Sequence, residues 1–241
     1  MICIVSPHLD DAALSCADHA LTWRAAGEEV LVVNVFTAAG TSMPLSSLMR
    51  PILQASQVVD AEQYVALRLR EDHRCLDALG LRACQLGFTD AGFRGAGTPD
   101  YPTLAALRTG RLLTPELDLV AAVAGALAQA VRGVGGDGGV GDVRLAVAPL
   151  GIGRHVDHLI TRAACEQVFG ADRLAFYADM PYARAPWRWS WPDLQRLAGA
   201  RKSIKPMTPV KRAALAHYAS QMPLMFRGTP RYPELVLLPQ R

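Results

Sequence analysis

The stretch Met1-Ile-Cys-Ile-Val-Ser6-Pro7-His8-Leu9-Asp10-Asp11 passes from an apolar run to a dense group of ionisable side chains. Met1 to Ser6, stopped by Pro7, reads as a short buried parallel strand with a loop at its C-terminal end. Asp11 to Ala26 carries helical spacing and many alanines. Glu29 to Phe36 (Glu-Val-Leu-Val-Val-Asn-Val-Phe) is a second strand. Strand, helix and strand in this order open a βαβ unit. They predict an α/β, Rossmann-like domain: a mostly parallel sheet flanked by helices, with any site at the C-terminal ends of the strands.

Working outward, Thr37 to Ser56 is rich in Ser, Pro, Gly and Met and reads as a long loop, a frequent place for functional lids. Ala61 to Leu79 is a helix closed by Gly80. A strand over Ala83 to Phe88 and a second long loop, Thr89 to Pro115, follow. A helix over Pro115 to Arg132 precedes a strand at Val143 to Leu150, a helix at Asp157 to Phe169 and a strand at Leu174 to Tyr177. After Pro181 the pattern breaks up. Trp187, Trp189 and Trp191 alternate as on one face of an extended cover segment, suited to stacking on a sugar, to packing or to subunit contact. A helix over Val210 to Ser220 and a strand over Glu234 to Leu238 end the reading. The expectation is one domain over 1–241, with 183–241 as a C-terminal covering segment. Gly133-Val-Gly135-Gly-Asp-Gly138 matches a dinucleotide fingerprint in letters only. It follows a helix and precedes a strand, the reverse of the order that chemistry needs, so a surface loop is expected.

Composition narrows the function classes. Of 241 residues, 51% are apolar and 20% charged, which suits a globular domain. A net charge of +3 with scattered Lys and Arg argues against nucleic acid as partner. The longest apolar stretch, Leu117 to Val131, contains Asp118 and Gln129 and is too short to span a bilayer, so a buried helix and no membrane partner are expected. The five cysteines are dispersed, without Cys-x-x-Cys spacing, which argues against a disulfide framework or a thiolate zinc site. Buried thiols in a reducing cytoplasm are the expectation. His19, His73 and His217 lack neighbouring ligand types and read as structural or exposed.

Two polar clusters stand where an open parallel sheet collects ligands. His8-Leu-Asp10-Asp11 follows the first strand; His155-Val-Asp157-His158 follows the Val143 to Leu150 strand through Gly151-Ile-Gly153. An aspartate before a helix can be a plain N-cap, and two histidines at a helix start can be surface residues. Neither reading accounts for two such clusters on one sheet. Histidine and carboxylate without cysteine suit zinc (Zn2+) or Fe2+ in an open, catalytic geometry.

The two clusters resemble the signatures of the PIG-L/LmbE-like family of metal-dependent N-acetylglucosaminyl deacetylases: Pro-His-x-Asp-Asp at Pro7 to Asp11, and His-x-Asp-His at His155 to His158. The strand order, the helix start Arg68-x-x-Glu71 running to Leu79-Gly80, and Asp179-x-Pro181-Tyr182 extend the likeness over most of the chain. Leu9 and Ala12 depart from the commonest form, where proline and glutamate stand, and neither is an implied ligand. The resemblance implies that His8, Asp11 and His158 hold Zn2+ or another divalent metal, with Asp10 as general base and His155 as electrostatic or acid partner. Asp157 would orient a neighbouring histidine; Arg68 and Asp90 would contact substrate hydroxyls. The implied substrate is a small N-acetylated sugar or glycoconjugate, and a homo-oligomer is compatible with it. Two alternatives stay open: an amidase for a larger acyl group, and a non-catalytic sugar- or nucleotide-binding module.

Overall fold

The computed structural model describes all residues except 41–43, 96, 109–111, 136–139, 141, 229 and 241. Seven strands form one sheet in the order β3-β2-β1-β4-β5-β7-β6. They are β1 (Ile2–Ser6), β2 (Val30–Ala38), β3 (Arg82–Thr89), β4 (Leu145–Pro149), β5 (Leu174–Tyr177), β6 (Arg201–Lys205) and β7 (Glu234–Leu238). The first five are parallel; β7 runs antiparallel between β5 and β6. The chain order reverses between β1 and β4, so a crevice opens beyond their C-terminal ends.

Alternation along β1 assigns the two faces. Cys3 and Val5 pack into one core with Val123, Leu127 and Ile160, which lie on α5 (Thr114–Gly135) and α6 (Val156–Val168). Ile2 and Ile4 pack into the opposite core with residues of α1 (Asp11–Ala25), α3 (Ala61–Ala78) and α8 (Pro209–Leu215). A period of two thus feeds two helical layers from one strand. Cys3, Cys16, Cys75 and Cys165 are buried in these cores and Cys84 is partly buried; all are free thiols.

The long loops hold more structure than expected: α2 (Met49–Ala55) lies within the first, and a 3-10 turn (Ala91–Phe93) and α4 (Leu104–Leu107) within the second. In the covering segment, α7 (Trp191–Gly199), β6 and α9 (Met222–Met225) were not expected. The tryptophans do not share a face. Trp187 and Trp191 are exposed, while Trp189 packs on the core and donates its indole N–H to the Ala183 carbonyl at 3.1 Å. The expected buried helix is longer, and it is buried on one side only. Thr114–Gly133 is long and apolar enough to cross a membrane by length and composition. Its Val120, Val123, Leu127 and Val131 lie against the sheet, whereas Leu117 is exposed. Of the glycine-rich motif, residues 133–135 belong to α5 and 136–138 lie outside the described residues.

Candidate active site

The floor of the crevice is built by two strand-to-helix turns. After β1, Ser6 Oγ accepts from the Ala12 N–H at 2.9 Å and so satisfies the first turn of α1. Asp10 occupies the N-cap position without capping, which leaves its carboxylate free for other partners. Asp11 turns back instead, and its Oδ2 accepts from the His8 N–H at 3.0 Å. After β4, Gly151-Ile152-Gly153 wraps the carboxylate of Asp179: Asp179 Oδ2 accepts from the Gly151 and Ile152 N–H groups at 2.8 and 2.9 Å. Gly153 has φ +87°, and a Cβ there would meet the Tyr182 ring at 2.8 Å, so only glycine admits this approach. His155 caps α6, its Nδ1 accepting from the Asp157 N–H at 3.2 Å. Its Nε2 therefore carries the proton in the neutral ring, a donor not used by the cap.

These turns bring His8, Asp11 and His158 to one point, with donor atoms all within 4.8 Å of one another and all three residues buried. Asp11 Oδ2 lies 3.2 Å from His8 Nδ1 and 3.4 Å from His158 Nε2. The far nitrogen of each ring is held as well: His8 Nε2 is 3.0 Å from Asp157 Oδ2, and His158 Nδ1 is 2.6 Å from Asp179 Oδ1. Two imidazole nitrogens and one carboxylate oxygen, each ring fixed from behind by a carboxylate, form a donor set that fits a divalent metal. Burial pushes the Asp11 carboxyl up, but His158 and the hydrogen bond from His8 outweigh it and hold the group well below the usual carboxylate range. A second group, His8, His155 and Asp157, meets the same spacing. Asp157 is already taken, however, by the Ala91 N–H at 2.9 Å and by the Arg94 guanidinium, so the first group is the better ligand set.

Asp10 stands beside this point. Arg68 pairs with its Oδ1 at 3.1 Å, leaving Oδ2. Burial above all, helped by the charge of Asp11, pushes the Asp10 carboxyl above its ordinary value despite Arg68. Burial, with His8 beside it, pushes His155 well below its ordinary value, so this ring is neutral. Arg68 is not at a helix start but midway along α3, and it is buried. Asp90 accepts from the Gly92 N–H at 2.8 Å and keeps its other oxygen 3.8 Å from His8 Nε2.

His8, Asp10, Asp11, Arg68, Asp90, His155 and His158 line a cavity of about 670 Å³, and Asp157, Asp179 and Arg94 are not in its lining. Its walls come from α2, α4 and α9, through Met49, Ile52, Leu104, Leu107, Leu224 and Met225. Arg94 and Asp179, which hold Asp157 and His158, escaped the sequence reading of roles. Arg94 lies in irregular chain with no period to flag it. Asp179 was visible as part of a motif but carried no chemistry of its own there. His19 is buried against Glu234 and Ser203, while His73 and His217 are exposed.

A family model described as GlcNAc-PI de-N-acetylase, PIG-L, matches residues 3–169. The 2'-N-acetylparomamine deacetylase of Streptomyces fradiae is 33% identical over 184 residues, which is 75% of this chain. The match spans 57% of that relative's own length. Among solved structures, a deacetylase of teicoplanin biosynthesis superposes with a TM-score of 0.78 at 23% identity, over 98% of this chain and 96% of that one. The zinc-inhibited form of a teicoplanin deacetylase gives 0.75 at 24%, with the same coverage. A pseudoaglycone deacetylase gives 0.66 at 26%, over 91% of this chain and 81% of that one.

Proposed function

The chain belongs to the PIG-L family of GlcNAc-PI de-N-acetylases, and we propose that it removes the N-acetyl group of an amino sugar or glycoconjugate by metal-assisted hydrolysis. The observation that carries this reading is the meeting of His8, Asp11 and His158 at one point on the cavity floor, with Asp10 beside them. His8, Asp11 and His158 would hold the metal, zinc in this proposal. When bound there, a divalent cation acts as a Lewis acid toward an amide carbonyl and acidifies water.

The chain's own groups supply the rest. Asp10, pinned through Oδ1 by Arg68, keeps Oδ2 to take the proton of the attacking water. His155, neutral and with its proton on Nε2, donates to the developing oxyanion; such a donor is worth about 3–4 kcal/mol. The protonated Asp10 then returns its proton to the leaving amine. Asp157 and Asp179 fix the two histidine rings. Arg68 and Asp90, on the cavity lining, would position the sugar.

The apolar walls favour one further distinction, between acetyl and longer acyl groups. A series of N-acyl glucosamines, assayed for free amine with the metal-stripped chain and after one equivalent of Zn2+, tests both points. One related structure is described as zinc-inhibited, so zinc is kept at or below that ratio. The expected result is metal-dependent amine release, fastest for acetyl. Release that peaks at a longer chain would replace the deacetylase by an acylase. Amine release indifferent to metal would remove the proposal.

A further inference from the structure

We propose that Ser203, His19 and Glu234 form a second catalytic site, apart from the metal site, in which Ser203 is the nucleophile that hydrolyses small aromatic esters of carboxylic acids. The inference stands independently of the deacetylase reading.

The three residues come together from distant parts of the chain. His19 lies on α1, Ser203 on β6 and Glu234 at the start of β7. None of them lines the cavity described above, and His19 stands more than two turns along α1 beyond Asp11, roughly 12 Å at the helical rise. Glu234 is an acceptor at each of these contacts. Its Oε1 takes the Asp18 N–H at 2.8 Å and the Lys211 ammonium at 2.7 Å; its Oε2 takes the His19 N–H at 3.0 Å and lies 2.7 Å from His19 Nδ1. An ionised carboxylate can only accept, so the proton of the neutral His19 ring sits on Nδ1. The lone pair of Nε2 then faces Ser203 Oγ, 3.1 Å away. Hydroxyl, imidazole and carboxylate in this order are the arrangement that activates a serine. His19 and Glu234 are buried, whereas Ser203 is partly exposed on the edge strand, so the nucleophile is the member within reach of a ligand.

The surroundings supply the remaining parts. Residues along an antiparallel strand turn their N–H groups alternately toward and away from a neighbour, and β6 pairs on one side only, with β7. An N–H without a strand partner therefore belongs either to Ser203 or to both its neighbours, in place for an oxyanion. Arg201 and Lys205 share the face of Ser203 by the period of two and add positive charge. The Trp23 ring, its centroid 5.6 Å from that of His19, offers an apolar surface to the aromatic part of the ester. Behind His19, the carboxylates of Asp18 and Glu234 outnumber the one ammonium of Lys211, which favours the imidazolium formed during attack. Ser203 Oγ adds to the ester carbonyl while His19 Nε2 takes its proton. The bond from the acyl carbon to the phenol oxygen then breaks, and His19 gives the proton to that oxygen. Water next attacks the acyl-serine, His19 takes one of its protons, and Ser203 Oγ leaves with that proton. Ester and water are consumed; acid and phenol are formed.

The test uses the full chain stripped of metal, which keeps metal-assisted hydrolysis out of the signal, with a fluorophosphonate probe and 4-nitrophenyl acetate. Labelled residues are located by peptide mass spectrometry, nitrophenolate release is followed by absorbance, and thermal unfolding checks each variant. Ser203 should label on the order of 100-fold faster than any other serine of the chain. Nitrophenolate release should turn over many times per chain, stop after labelling, and vanish in Ser203→Ala. His19→Gln keeps a polar side chain but cannot take the proton, and should slow both reactions by about 100-fold or more. Ser203→Ala removes one partly exposed hydroxyl and decides the matter even where the His19 variant fails to fold. Labelling of Ser203 no faster than of the other serines would overturn the proposal, as would ester hydrolysis undiminished in Ser203→Ala.

Discussion

Asp10 and Asp11 are neighbours with the same side chain, and local geometry separates their proposed work. Asp11 folds back to the His8 N–H and faces two imidazoles, which keeps it ionised, as the proposed ligand role requires. Asp10 faces Arg68, and burial lifts its carboxyl toward the range useful to a base. Asp10→Asn keeps the size and most of the hydrogen bonding but cannot take a proton. The expected outcome is a fall in kcat of about 10²–10⁴-fold with metal content unchanged, checked by steady-state kinetics beside elemental analysis. Loss of metal in that variant would make Asp10 a ligand. Arg68 and Asp90 are expected to act on the sugar, so Arg68→Ala and Asp90→Ala should lower kcat/KM on an N-acetylated sugar about tenfold or more. Removing a hydrogen bond to a ligand hydroxyl costs about 0.5–1.5 kcal/mol, and an unpaired buried charge adds to it. A minimal acetamide without hydroxyls should feel Asp90→Ala far less, while Arg68→Ala, which also releases Asp10, should slow both substrates. Equal losses on both for Asp90→Ala would mark a structural role.

Elements differ in how plainly the sequence announces them. β1, β4 and β5 are apolar runs and β2 is one interrupted by Asn34 and Thr37, all buried on both faces, and their places follow from composition alone. The two site clusters follow from the strands, because each stands directly after one. β6 reads Arg-Lys-Ser-Ile-Lys, an edge strand whose charges look like loop and guard the edge instead. α2, α4 and α9 have seven, four and four residues, too few turns for a helical period to show. They wall the cavity, so the part of the site that selects substrate was the part least readable. One element owes its position to a buried ion pair. Lys211 on α8 donates to the Leu14 carbonyl of α1 at 2.6 Å and to Glu234 of β7 at 2.7 Å, and His19 joins Glu234. Lys211→Met leaves Glu234 buried without its cation and should cost about 3–5 kcal/mol, a fall in Tm on the order of 10 °C for a chain of this size. Lys211→Met/Glu234→Leu should recover much of that loss, which thermal unfolding can check. Burial pushes the Glu234 carboxyl up, but the His19 hydrogen bond and the Lys211 charge outweigh it and hold the group below its ordinary value. Its contribution is therefore present above the ordinary glutamate pKa and is lost as pH falls through the folded value.

At the scale of the whole molecule, the order of the sheet decides where chemistry can happen. β1 and β4 are neighbours although more than a hundred residues lie between them, and the chain winds away from that seam on both sides. The seam brings His8 and Asp11, near the start of the chain, to His158, far along it, and α2, α4 and α9 wall a cavity over them. The central claim is that a metal held at this seam by His8, Asp11 and His158 is required for amide hydrolysis. Titration of the metal-stripped chain with Zn2+, following bound metal and acetate released from an N-acetylated amino sugar in the same samples, tests it most directly. Both signals should rise together and saturate at about one equivalent per chain, and Asp11→Ala should show neither. Acetate release at full rate from the metal-stripped chain, or undiminished metal and activity in Asp11→Ala, would contradict it.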